Sequence, residues 1–514
     1  MTQLAERPAT AAAACDPRVV ETHSALLLSI GSRVYKVKKP VDLGFLDFST
    51  LEARRAVCHR EVQLNRRLAP DVYLGVSDLR DDAGAVYEHL VVMRRMPEDR
   101  ALSALVRSGV DVRGDLRALA RLIAAFHATA RRSPVIDEAG RVDRVRALWE
   151  SGFDLLERFV DHGMDADRLA RMRRLAGRYL DGRGPLLAER QAAGCIRDGH
   201  GDLLAADVFC LPDGPRVLDC IEFDDELRYG DVLLDVAFLA MDLEDLGRSD
   251  LATQFLQEYV EFSGHPHSRS LADHYVAYRA LVRSKVTFLR FSQGGATAAP
   301  AAQQLAALCL RHLEASAVRL VLVGGLPGTG KSTLAAALAD RSGWSVLRSD
   351  ALCKELLGRR WGEVSTDAFG EGAYDDDATE QTYRLLLDRA RTALERGQSL
   401  VLDASWSSER WRAAARALAS ETTSDVVELR CSAPFSVAAA RTAGRAASGG
   451  DPSDADADVA RQMAEVFDAW PGATVVDTDR PSEDVVLLAA AAAGLASDAG
   501  SVPGTSVPGR GTDG

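Results

Sequence analysis

The 514 residues contain no Cys-x-x-Cys pair; the eight cysteines stand apart at positions 15, 58, 195, 210, 220, 309, 353 and 431. Neither a zinc site nor a disulfide framework is expected from that spacing, and reduced thiols fit it better. No run of about 18 apolar residues occurs, so no helical membrane span and no membrane partner are expected. The alanine-rich run near 487–496 is too short and leads into Asp498. The opening MTQLAERPATAAAAC carries an acid early and lacks an apolar segment long enough for a secretory signal. No internal repeat is visible. An excess of positive charge is also missing: the net charge is −13, which argues against a dedicated nucleic-acid binder, whose basic face must meet phosphates. A cytoplasmic protein is the expectation these absences leave.

What is present is ordinary globular material in more than one unit. Apolar residues make up 47% and charged residues 27%, and a chain of this length exceeds what a single core serves. Residues 1–15 and 497–514 are rich in Pro, Gly, Ser and Ala and are expected to be disordered. Over 16–97 short apolar or alternating runs, Ala25–Ile30, Val34–Val37, Val72–Val76 and Leu90–Met93, predict strands, with one helix from about Thr50 to Leu68. Over 98–314 the period is mostly helical; Leu116, Leu119, Leu122, Ile123 and Phe126 form one stripe. Short strands are expected within it at Cys195–Arg197, Val208–Leu211 and Val217–Phe223. Over 315–496 strands and helices alternate, the rhythm of a parallel sheet flanked by helices. The boundary is placed near 313–317.

The sharpest signal lies at the start of that third region. The strand Arg319–Val323 runs into Gly325, Leu326, Pro327, Gly328, Thr329, Gly330, Lys331, Ser332 and Thr333. In such a loop the glycines let backbone N–H groups surround a β-phosphate, and the following helix presents its positive end. Lys331 is expected to neutralise phosphate charge and Ser332 to ligate Mg²⁺, with ATP as the cofactor. The next strand, Ser345–Leu347, ends at Arg348-Ser349-Asp350, which makes Asp350 the candidate general base; an N-cap for the helix that follows would explain it too. Ser399–Leu402 closes on Asp403, the form of a strand whose acid holds Mg²⁺ or orients an acceptor. Arg441 and Arg445 share a helix face four residues apart, so they are candidates for clamping transferred phosphate or for a plain solvated surface.

GLPGTGKST, SDALCKEL, VLDASW and the Arg441/Arg445 pair together resemble the P-loop small-molecule kinases often labelled AAA-type, which are similar to gluconate kinases, zeta toxins and the kinase half of polynucleotide kinases. Relatives commonly carry Ser-Asp-x-x-Arg at the second motif, whereas Cys353 and then Lys354 stand here.

The N-terminal part carries a second set of motifs. His200-Gly-Asp202-Leu-Leu-Ala-Ala-Asp207 has the spacing of a kinase catalytic loop, with Asp202 as base and Asp207 as Mg²⁺ ligand. A second metal ligand should come from Val217–Phe223, where Glu222 fits best and Asp219 and Asp224 compete. Lys36 in Val34-Tyr-Lys-Val resembles the strand lysine that reaches the α- and β-phosphates, with Lys38 as rival and Glu61 as its helix partner. Together with Phe126-His127 and GDVLLDVAFLAMDLE, these resemble the aminoglycoside phosphotransferase and choline kinase group over residues 20–312. Asp207 stands where that group has Asn, Leu204-Ala-Ala206 replaces its usual polar residue, and Gly31 is the only flap glycine.

The whole chain thus resembles bifunctional aminoglycoside phosphotransferase/ATP-binding proteins. That resemblance implies a protein-kinase-like α+β fold, divided into an N-lobe (16–97) and a C-lobe (98–314), joined to an α/β P-loop kinase (315–496). It also implies transfer of the γ-phosphate of ATP to a hydroxyl of a small molecule. A nucleotide-dependent regulator with an inactive N-terminal half, and a kinase for polynucleotide 5′-hydroxyls, are the alternatives.

Overall fold

A computed structural model describes residues 18–22, 24–42, 47–292, 298–358, 375–448 and 457–495. Both segments expected to be disordered, 1–15 and 497–514, lie outside these. The chain divides into two compact units. The first holds the described residues up to Leu169, together with Leu187–His267 and Tyr275–His312. The second holds Ala170–Leu186, Ser268–His274 and the described residues from Leu313 onward.

In the first unit, β1 (Arg18–Glu21), β2 (Ala25–Ile30), β3 (Arg33–Lys38), β4 (Tyr73–Arg80) and β5 (Val86–Arg94) form an antiparallel sheet in the order β1-β2-β3-β5-β4. The helix Leu51–Asn65 starts where the Thr50 side chain accepts from the Ala53 amide at 3.1 Å, relieving one of the unpaired N–H groups of a first turn. Its Cys58 and Val62 pack with Val72, Tyr73, Val91 and Met93 of the sheet. The rest of the unit is mainly helical, around two small antiparallel pairs. One joins β6 (Ile196–Asp198) to β9 (Tyr229–Asp231), the other β7 (Val208–Leu211) to β8 (Gly214–Val217). The expected stripe appears on the helix Arg113–Thr129, with Leu116, Leu119, Ile123 and Phe126 buried and Leu122 half-buried. This is the α+β, protein-kinase-like arrangement.

One expected strand is absent. The run Val217–Phe223 continues no strand past Val217. Its backbone amides are drawn to other partners: Asp219 N–H donates to the Tyr73 hydroxyl, Cys220 N–H to Asn65 Oδ1 and Ile221 N–H to the His200 carbonyl. Asp219 itself takes φ 65°, an unusual conformation for a residue with a Cβ. Apolar composition signalled burial there, and two side-chain acceptors and a loop carbonyl replaced the ladder.

The second unit is built on a parallel sheet of β10 (Arg319–Gly324), β11 (Ser345–Arg348), β12 (Leu400–Asp403), β13 (Asp425–Ser432) and β14 (Thr474–Asp477), in the order β11-β12-β10-β13-β14. Val321, Val323, Val401 and Leu429 pack with Leu334, Ala335 and Leu338 of the helix Lys331–Ser342. The connection from β10 runs to β11 on one side, and the later one from β12 crosses to β13 on the other. That reversal opens a crevice at the carboxyl ends of the strands, the place where α/β sheets bind ligands. Two segments from earlier in the chain complete the unit: Arg183 donates to the Thr422 carbonyl at 3.0 Å, and Ser270 Oγ to the Gly397 carbonyl at 2.6 Å.

Candidate active sites

The P-loop follows directly from β10. Gly325, Gly328 and Gly330 adopt φ of 136°, 77° and 85°, which side chains resist. A Cβ on Gly328 would lie 2.3 Å from the Ala438 carbonyl oxygen and one on Gly325 2.6 Å from that of Cys431, so glycine is required on packing grounds as well. Thr329 Oγ1 donates to the Leu326 carbonyl at 2.7 Å and Lys331 Nζ to the same oxygen at 3.1 Å. The loop is thereby held with Lys331 folded across it, and Ser332 and Thr333 open the following helix.

Asp403 ends β12, buried, in register with both Val323 and Arg348. Burial lifts its carboxyl above the usual range, against the pull of Lys331 and of a hydrogen bond from Ser332. Arg348 touches the same two groups: its Nη2 donates to Ser332 Oγ at 2.9 Å and its Nε lies 3.2 Å from Asp403 Oδ2. Asp350 stands half-buried in the first turn of the helix Ser349–Leu356, near enough to Asp403 to push that carboxyl further up. It does not cap this helix; the cap position is Arg348, and no side chain closes it. Arg441 donates to the Thr478 carbonyl at 2.9 Å, and Thr478 Oγ1 donates to the Thr329 carbonyl at 2.8 Å. The side chain of Arg445 lies outside the described residues.

The second cluster gathers distant side chains. Lys36 and Lys38 project from the same face of β3, as residues two apart must. Glu61, fully buried, receives both: Lys36 Nζ lies 2.8 Å from its Oε1 and Lys38 Nζ 2.7 Å from its Oε2. Lys36 also reaches Asp219 at 2.9 Å, while Lys38 reaches Glu222 at 2.5 Å. Burial opposes the charge on Lys36, but Asp219, Glu61 and Glu222 outweigh it and hold the ammonium well above its ordinary range. Asp219 is correspondingly held low, chiefly by Lys36. Glu222, the favoured second metal ligand on its Ile-Glu-Phe setting, meets the rival lysine, Lys38. The reason is local: the missing strand gives up its alternation, and Asp219 rather than Glu222 faces Lys36.

The His200–Asp207 loop is anchored by a residue that motif reasoning passed over. Asp235, in the helix Val232–Asp245, accepts from the amides of His200 and Gly201 at 2.7 and 2.8 Å and meets His127 Nε2 at 3.0 Å. Burial pushes its carboxyl up, and the bond and charge of His127 carry it below the usual range. Asp242 accepts from the Ala205 amide at 2.8 Å, and Arg279 donates to the Gly201 carbonyl at 3.1 Å. The available signal was an acid set within the apolar run of GDVLLDVAFLAMDLE. Held this way, Asp202 is lifted to about 6 by burial and by Asp219 and Asp242, against Arg283 and Arg279. Asp207 is raised well above the usual range by burial, Asp219 and Asp202, with Lys36 opposing.

Do these groups suit Mg²⁺? Ser332 with Asp403, and Asp207 with Asp219, are pairs of hard oxygen donors, and in the first pair a guanidinium already bridges the two. Among the described residues no three His, Cys, Asp or Glu side chains converge into a metal cage. None is needed, because Mg²⁺ is usually held by one or two protein oxygens plus phosphates and water. Both donor sets fit. Among the same residues no helix is long and apolar enough to cross a membrane.

The chain is similar to several known proteins. Residues 320–470 match the family model described as an AAA domain. The protein named Uncharacterized protein Rv2004c of Mycobacterium tuberculosis (strain H37Rv) is 42% identical over 467 residues, covering 90% of this chain and 93% of that one. Among solved structures, a choline/ethanolamine kinase family protein from Mesorhizobium loti is 15% identical, covering 59% of this chain and 92% of its own, at a TM-score of 0.38. A sugar kinase from Janibacter sp. HTCC2649 is 19% identical, covering 35% of this chain and 96% of its own, at a TM-score of 0.28.

Proposed function

The chain belongs to the family of the mycobacterial protein Rv2004c, and on that premise we propose that it is a tandem ATP-dependent phosphotransferase that acts on a hydroxyl of a small molecule. The observation that carries the reading is the cradle at the carboxyl end of β10. Glycines that admit no Cβ, Lys331 across the loop, and Ser332 beside the buried Asp403 stand at the sheet's switch point. The loop amides and Lys331 bind the β- and γ-phosphates, and Ser332 and Asp403 hold Mg²⁺. That ion supplies neutralisation of phosphate charge. Asp350, beside Asp403, accepts the proton of the acceptor hydroxyl. Arg441, through Thr478, braces the loop rather than the transferred phosphoryl group.

In the kinase-like half, Lys36 orients the α- and β-phosphates and is itself oriented by Glu61. Asp207 and Asp219 hold the metal, and Asp202 takes the acceptor proton. Burial favours its neutral form and so makes it a stronger base once ionised. The test is ATP consumption by the full chain across small polyols, aminoglycosides and 5′-hydroxyl oligonucleotides. Acceptor-stimulated turnover with a small-molecule hydroxyl is expected. Turnover that no acceptor changes would replace this reading with that of a nucleotide-dependent regulator, and stimulation by oligonucleotides alone would replace the substrate class.

A further inference from the structure

Arg348 is the last residue of β11 and sits directly across the parallel ladder from Asp403. Its guanidinium spans two oxygens: Nη2 donates to Ser332 Oγ at 2.9 Å, and Nε stands 3.2 Å from Asp403 Oδ2. These are the two protein oxygens assigned above to Mg²⁺. A guanidinium is planar, permanently charged and rigidly forked, so it can tie two acceptors together at fixed geometry. A magnesium ion needs its oxygens at about 2.0–2.1 Å in near-octahedral order. Arg348 already occupies a lone pair on Ser332 Oγ and stands against Asp403 Oδ2, and its fixed charge beside so buried a carboxylate opposes a second cation at those atoms.

We propose that Arg348 is a built-in competitor of Mg²⁺: it holds Ser332 and Asp403 together and must release both when the metal arrives with nucleotide. This rests on the reading that Ser332 and Asp403 are the metal's protein partners. Two consequences follow from the geometry. Without metal the arginine adds its charge to that of Lys331 and to the Ser332 hydrogen bond in compensating a buried acid. With metal it is displaced at the strand end that precedes Asp350, so metal entry and the arrangement of the acceptor side are linked.

The test uses full-length wild type, Arg348→Met and Arg348→Lys, with a fluorescent ADP analogue at fixed concentration and Mg²⁺ as the titrant. Only the part of the signal that Lys331→Ala removes is assigned to the P-loop. Removing the competitor is expected to lower the Mg²⁺ concentration for half-saturation by about fivefold or more, the lower end of ordinary coupling between sites. Arg348→Lys, which keeps the charge without the fork, should fall between. In EDTA, Arg348→Met should melt below wild type, and saturating Mg²⁺ with ADP should close that gap. An unchanged Mg²⁺ dependence overturns the inference. So does weaker nucleotide binding at saturating Mg²⁺, which would make Arg348 a phosphate contact. If Arg348→Met fails to fold, as judged by circular dichroism, the lysine variant decides. If Lys331→Ala removes no signal from wild type, the nucleotide reading itself has failed, and that outcome is distinct from the others.

Discussion

On the function proposed, the P-loop unit would bind phosphate with the backbone of nine adjacent residues, 325–333. The kinase-like unit would do so with side chains, Lys36, Glu61, Asp202, Asp207 and Asp219, gathered from four stretches of chain. Their charges are arranged differently as well. Lys331 folds onto a carbonyl, and among the described residues no carboxylate lies within ion-pair distance of it. Lys36 is engaged by Glu61 and Asp219, and its neighbour Lys38 by Glu61 and Glu222. A backbone cradle is indifferent to most side-chain changes and is vulnerable at its glycines and its lysine. A side-chain cluster spreads the same vulnerability over many positions, several of them far from the phosphates.

The largest effects should come from the two proton acceptors, where the halves are expected to behave alike. Asp350→Asn and Asp202→Asn preserve shape and remove proton acceptance. Each should lower the turnover of its own half by about 10²–10⁴, the usual worth of a general base, with little change in nucleotide affinity. The measurement is turnover with the acceptor identified in the screen, alongside ATP titration. If Asp202→Asn leaves every transfer intact while Asp350→Asn abolishes it, the kinase-like half is not a catalyst. The reverse outcome makes the P-loop half the regulator.

A smaller contrast separates the lysines. Lys331→Ala removes a cation available to phosphate, and charge-assisted bonds are worth about 1.5–3 kcal/mol, so ATP should bind the P-loop about 10–100-fold more weakly. Lys36→Ala should cost the other half less in affinity, because its charge is already divided between two carboxylates and Lys38 remains on Glu61. Its turnover should suffer more than its binding. Calorimetric titration of each variant, with the other half's lysine also replaced, checks both. Equal losses at Lys331 and Lys36 would erase the distinction between a free and a committed cation.

How much of this was legible in the residues alone follows the same division. The P-loop could be read because its chemistry is contiguous: glycine spacing, lysine and hydroxyl all fall within one turn and the start of one helix. The parallel sheet of the P-loop unit could be read from period and alternation, whereas the kinase-like fold came from the resemblance its motifs carry. In the kinase-like half the individual motifs were visible, and so was the pairing of Lys36 with Glu61, but the share of Asp219 and Glu222 was not. Which lysine meets which acid depends on Val217–Phe223 leaving the sheet, and that depends on Tyr73, Asn65 and His200 capturing its amides. Asp235 and Asp242 went unseen because supporting a loop requires no spacing to it. Arg348 read as one more charge at a strand end; only the parallel register with Asp403 gives it a role.

The smallest expected effect is a pH dependence in the kinase-like half. Burial and neighbouring acids lift Asp202 to about 6, against about 3.9 for an unperturbed aspartate. Because the folded value is the higher one, folding favours the protonated form. The stability this group contributes is present below about pH 4 and lost as pH rises toward 6. Asn cannot ionise, so Asp202→Asn should melt at nearly the wild-type temperature near pH 4. In chelator it should melt above wild type at pH 7, by about 2–4 °C for each kcal/mol involved in a unit of this size. Mg²⁺ with ADP should shrink that difference, since nearby positive charge favours the ionised acid. Turnover carries the opposite sign: a base must be ionised, so the wild-type rate should rise with pH through about 6 and level off above it. A melting difference that stays constant from pH 4 to 7 would mean that its surroundings do not lift Asp202, and its selection as the base would lose its physical ground.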